Sequence, residues 1–177
     1  MREAVYDHSA DAAEAVRKHF PGREITGLRP MNAGLMHRNF AVTFANGTQV
    51  FYRGHNADGP GADYRDIYFG DPLSLEREVA VTRLLAKTGI PVPEVYALEE
   101  RPCGPYALLS YLPGVHFSEY LATRGNKLDV FLGSLVNLGR TLALAGGVAF
   151  DSFGAIGPES IINGRRYLRR DVRRHPG

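Results

Sequence analysis

One cysteine, Cys103, is the only thiol in this 177-residue sequence. It excludes an intramolecular disulfide framework and fits a reducing compartment. No run approaches the roughly 18 apolar residues of a membrane span. The N-terminal segment also lacks the continuous apolar core of a secretory signal, so a cytoplasmic protein with no membrane contact is expected. Charge of one sign is lacking too. The 21 Lys and Arg against 19 Asp and Glu leave a formal net charge of +2, which gives no global pull toward nucleic acid or an anionic surface. The six histidines have no ligand spacing and Cys103 has no second cysteine, so no metal site is expected. No Gly-x-Ser-x-Gly occurs, which leaves a hydrolase elbow unsupported. Internal repeats and low-complexity tracts are absent.

What is present is ordinary for a globular chain: 44% hydrophobic and 23% charged residues, enough for one well-buried domain or one domain plus part of another. Residues 9–20 read as a short helix, with Ser9 as N-cap, a stripe of Ala12, Ala13, Val16 and Phe20, and Pro21-Gly22 as its end. Three strand-like runs follow at 24–30, 39–44 and 48–53. Ala45-Asn46-Gly47 joins the last two, a strong hairpin signal, and Val42, Phe44, Val50 and Tyr52 alternate as paired strands should.

Between the first two strands lies a turn holding Gly34. Residues 54–72 read as a long Gly/Asp/Pro loop. Asp71-Pro72 opens a helix that Gly89 closes. Pro91 and Pro93 extend the chain into a strand, another strand spans 106–111, and Pro113-Gly114 marks a hinge. Residues 128–145 form an amphipathic helix with Phe131, Leu135, Leu138, Leu142 and Ala145 on one face. The remainder is turn-rich, then basic, with six arginines between Arg165 and Arg174. That cluster reads as a solvated helix face or a linker, in preference to a nucleic-acid site.

Taken singly, Gly34 is a turn glycine, Arg53 a solvated strand-end cation and Glu78 a surface carboxylate. Their order carries more. A glycine turn lets backbone amides approach phosphate oxygens. A strand cation neutralises those oxygens, and a helix carboxylate holds the cation. A hinge can offer a carbonyl and an amide to a base edge.

The stretches NAGLMHRNFAV, VFYRG, SLEREVAVTRLLAKTGIPVPEV and GPYALLSYLPG resemble the N-terminal lobe of the aminoglycoside phosphotransferase and choline kinase-like family, over roughly residues 24 to 160. The resemblance implies an α+β fold of protein-kinase type. Residues 1–113 would form a nucleotide-binding lobe, a five-stranded antiparallel sheet with one packed helix, and 114–177 the incomplete start of a helical lobe. It implies ATP as phosphoryl donor, Mg2+ in a full-length member, and the hydroxyl of an aminoglycoside, choline or similar small molecule as acceptor.

By the same resemblance Gly34 sits in the phosphate loop, with Arg38 and Asn39 leading out of it. Arg53 takes the place usually held by a strand lysine, and Glu78 is its helix partner. Leu109 backs the adenine, and the Ser110 carbonyl and Leu112 amide contact its edge. The segment DSFGAIG looks like a landmark after the first helix of the second lobe. Its Asp151-Ser152-Phe153-Gly154 reads as structural, with no metal role.

The family's catalytic His-x-Asp, the Asn after it and a later metal-binding Asp should lie beyond residue 177. None of His8, His19, His37, His55, His116 or His175 stands two residues before an Asp, so no catalytic residue is assigned and the chain alone is expected to be inactive. The alternative is a non-catalytic nucleotide-binding or interaction module. It would need a protein partner over the apolar face of the 128–145 helix.

Overall fold

Period-two alternation and one glycine turn build the centre of the fold. The structure is a computed structural model describing residues 8–31, 37–55, 75–101, 104–114, 119–120, 128–149, 154–156 and 161–163. In chain order the elements are α1 (His8–His19), β1 (Ile25–Pro30), β2 (His37–Phe44), β3 (Gln49–His55), α2 (Leu75–Ala86), β4 (Val95–Glu99), β5 (Tyr106–Ser110), α3 (Leu128–Gly146), β6 (Gly154–Ile156) and β7 (Ile161–Asn163). β1 to β5 form one sheet in the order β1-β2-β3-β5-β4, every neighbouring pair antiparallel.

The β2–β3 turn works as its sequence requires. Gly47 donates its backbone N–H to the Phe44 carbonyl at 2.8 Å with a φ of 79°, the left-handed conformation a side chain resists. The pairing then sets Val42 opposite Val50 and Phe40 opposite Tyr52, all buried. At the other end of β3 close packing requires a glycine. A Cβ on Gly54 would come within 2.6 Å of the Tyr52 hydroxyl, and Tyr52 is itself fixed by stacking on Tyr106, 5.7 Å between ring centroids.

The α+β class and the five-stranded antiparallel sheet are as expected, and α2 packs on the sheet. The structure adds a second helix on the opposite face. There α1 buries Ala12, Ala15 and Val16 against Phe40, Val42, Phe44, Val50, Tyr52, Tyr106 and Leu108. On the other face α2 seats Leu75 and Val79 on Ala107 and Leu109, with Phe51, Val95 and Leu98 around them. β6 and β7, paired as a short hairpin, fall where the sequence shows only turns and basic residues. Three-residue strands leave no alternation to read. Residues 111–114, where the expected division between 1–113 and 114–177 would fall, follow β5 without regular secondary structure.

Polar side chains tie α1 to β4 and β5. Glu99 takes an ion pair from Lys18 and a second contact from His19 Nε2 at 3.1 Å. The Tyr106 hydroxyl donates to Glu99 Oε2 at 2.7 Å. Arg101 donates to the Asp11 carbonyl at 3.2 Å and lies 4.4 Å over the Tyr106 ring. The Lys18 and Tyr106 hydrogen bonds, in that order, hold the Glu99 carboxyl down at about 2, while burial and then the Glu99 hydrogen bond push the Tyr106 phenol up to about 12.

A carboxyl lowered on folding stabilises the fold above its unfolded value, and that contribution is lost as pH falls toward 2. The raised phenol stabilises below about 10 and fades as pH rises toward 12. Glu100 works the other way from Glu99, because a shared hydrogen bond with Glu76 raises it. We expect the wild-type melting temperature to fall between pH 4.5 and 2, and Glu99→Gln to flatten that limb while leaving pH 7 to 9 parallel to wild type. An unchanged acid limb in the variant would show that the network contributes nothing.

Candidate functional site

Cross-strand partners share a face, so the register alone places most of the relevant side chains. Asn39, Arg53 and Ala107 are mutual partners across β2, β3 and β5, and Ala107 lies in the α2 cluster. Arg53 therefore projects toward α2. There its Nη2 meets Glu78 Oε2 at 2.8 Å, with the two side chains 25% and 40% exposed. The sequence order brought these residues together, and the structure contains the pair. The Arg53 guanidinium is not fully used by it: its Nε is buried with no hydrogen-bond partner among the described residues. Leaving a buried donor unsatisfied costs roughly 1–3 kcal/mol, so an acceptor brought to this nitrogen would stabilise the site.

Asn39 is buried beside Arg53, and His37 is buried on the same face. Arg38 goes elsewhere. Adjacent strand residues point to opposite faces, and Arg38 pairs with Gly54, whose other partner is Tyr106. It is exposed on the α1 side, so the structure does not gather it with Arg53. Gly34 lies outside the described residues, as do Asp71-Pro72, Cys103, residues 151–153 and the arginines from 165 to 174.

Further along the same face the surface turns apolar. Leu109 is buried and pairs with Phe51, which stands two residues before Arg53 and so shares its face. Phe51 was not singled out in the sequence, although its two-residue offset from Arg53 places it on the same face. Ser110 ends β5, donating its N–H to the Glu94 carbonyl at 2.8 Å and accepting from the Glu94 N–H through its Oγ at 2.9 Å. Beyond it Leu112 is 56% exposed. Arg29 also lies on this face, in the row Arg29, Ala41, Phe51, Leu109, and its Nη2 donates to the Tyr111 hydroxyl at 3.2 Å.

The arrangement thus offers a fixed cation with a spare donor at one end. An apolar floor of Phe51 and Leu109 lies in the middle, and an irregular strand exit bounds the other end. Such a surface suits a ligand with an anionic head and a flat apolar body. Among the described residues no three or more His, Cys, Asp or Glu gather to hold a metal, and no helix is long and apolar enough to cross a membrane.

The sequence model of the phosphotransferase enzyme family matches residues 27–175. No curated protein and no solved structure matches the chain.

Proposed function

The chain belongs to the phosphotransferase enzyme family, and from that premise we propose that residues 1–113 form the nucleotide-binding part of an ATP-dependent small-molecule kinase. The observation that carries this reading is the Arg53–Glu78 pair at 2.8 Å with the Arg53 Nε left unspent. A guanidinium held by a carboxylate on one prong can present its remaining donors to phosphate oxygens. ATP fits the residues present. Arg53 takes the phosphates, Phe51 and Leu109 underlie the base, and the Ser110 carbonyl and Leu112 amide meet its edge, with Asn39 beside Arg53.

Magnesium does not find a comparable set of ligands among the described residues, so no step is assigned to it. The acceptor is a hydroxyl of a small molecule of the aminoglycoside or choline type. Positioning that hydroxyl takes a carboxylate in a His-x-Asp setting, which these 177 residues do not contain. Binding without turnover is the expected behaviour.

Titration of the isotope-labelled chain with ATP to millimolar concentration, followed by nuclear magnetic resonance, tests this. Shifts should concentrate in β2, β3 and residues 109–112, with no ADP formed in the presence of candidate acceptors. Absence of saturable shifts would remove the nucleotide reading, and ADP formation would remove the inactive one.

One observation favours a second reading, that of an interaction module. α3 exposes Leu132, Leu135, Val136, Leu138 and Leu142, the last 61% exposed. Soluble domains rarely leave so continuous an apolar surface without a partner. A discrete, concentration-independent oligomer in sedimentation would favour that reading. Polydisperse association would favour the kinase-part reading.

A further inference from the structure

The Arg29–Tyr111 contact is not explained by the arrangement above. By itself an exposed arginine bonded to a phenol is an ordinary surface contact worth little. Its position is what distinguishes it. Arg29 stands on β1, at one edge of the sheet, and Tyr111 follows the last residue of β5. For the two to meet at 3.2 Å, the pair must reach across the width of β2 and β3. On the α2 face that path follows the row Ala41, Phe51, Leu109, the same floor assigned to the base. Ala41, next to Arg29 in that row, is fully buried and carries only a methyl group.

The charges of the two arginines on this face also differ. Arg53 is balanced by Glu78. Arg29 enters no ion pair among the described residues, and its bond is to a neutral hydroxyl. A planar cation with no counter-charge among the described residues, aimed by a tyrosine over an apolar floor, is suited to lie against a purine ring. It can also donate to the acceptor atoms on that ring's edge.

Resting on the nucleotide reading of this site, we propose that Arg29, aimed by Tyr111, is a ligand-contacting residue that recognises the base end of the nucleotide whose phosphates Arg53 holds. Arg53 and Arg29 then divide the ligand. The first reads charge, which any polyphosphate carries. The second reads the base, which inorganic phosphate lacks.

This division gives the test. Dissociation constants for ATP and for inorganic tripolyphosphate are measured on the 177-residue chain and on its Arg29→Ala, Tyr111→Phe and Arg53→Met variants, with melting temperatures as a check on folding. Arg53→Met should weaken both ligands by about tenfold or more. Arg29→Ala should weaken ATP by about tenfold and tripolyphosphate by less than about twofold, with Tyr111→Phe giving a smaller loss confined to ATP. An Arg29→Ala chain that binds ATP as wild type does overturns the inference while leaving the Arg53 reading intact. Equal weakening of both ligands also overturns it, because Arg29 would then act as a general cation. A wild-type chain that binds neither ligand overturns the nucleotide reading and this inference with it.

Discussion

Exchanging the two charges, Arg53→Glu with Glu78→Arg, is expected to leave the fold standing and to abolish nucleotide binding. The pair is partly exposed, 25% and 40%, and such pairs contribute roughly 0–1 kcal/mol to stability. Reversing both signs keeps the attraction, so thermal unfolding should move little. The ligand distinguishes the two arrangements: after the swap the strand presents a carboxylate to incoming phosphates, and the cation has moved to the helix.

Binding should fall by well over tenfold, since a charge-assisted hydrogen bond worth roughly 1.5–3 kcal/mol is replaced by repulsion. Arg53→Lys should lie between wild type and the swap, because lysine keeps the charge and loses the fork. Titration of the three proteins with ATP, alongside their melting curves, separates a structural ion pair from a ligand-holding one. Retained affinity in the swapped protein would sink the assignment of Arg53.

The largest effect on stability is expected from Leu108→Ala. Leu108 is fully buried in β5, the strand between β3 and β4, and contributes to the cluster beneath α1. Deleting three carbons there costs transfer free energy and leaves a cavity in the cluster, roughly 2–5 kcal/mol. For a chain of this size that corresponds to a drop of about 10 °C in melting temperature. Leu142→Ala removes the same atoms from a side chain that is 61% exposed and should stay within about 0.5 kcal/mol of wild type. Chemical denaturation of both variants checks the contrast, and a Leu108→Ala protein as stable as wild type would mean the α1 face is not a packed core.

Much of this was legible in the chain because the signals are local. Asn46-Gly47 fixed a hairpin, Gly89 ended α2 with a φ of 79°, and alternation from Val42 to Tyr52 predicted which side chains would be buried. Arg53 and Glu78 could be paired through the order of strand, loop and helix.

The misses concern residues whose meaning depends on distant partners. α1 looked like a small alanine-rich helix, and nothing near Lys18 or His19 announces Glu99, 81 positions from Lys18. Arg29 meets Tyr111 across 82 positions, and no local signal marks it. Arg38 is different. The expected strand began at residue 39, whereas β2 begins at His37, so Arg38 lies in the strand next to Asn39 and faces away from whatever Asn39 faces. Family likeness grouped the two, and strand geometry separates them.

The two edges of the sheet bear on how copies of this protein can meet. β1 and β4 are the outer strands, and in both the pairing register slips, between Ile25 and Gly27 and between Val95 and Ala97. β1 also ends on Pro30, which has no N–H to offer. Bulges and a terminal proline spoil the straight ladder that another strand would need as a template. Strand-to-strand pairing is therefore disfavoured at both edges of this sheet, and the exposed apolar face of α3 is the readier surface for self-association.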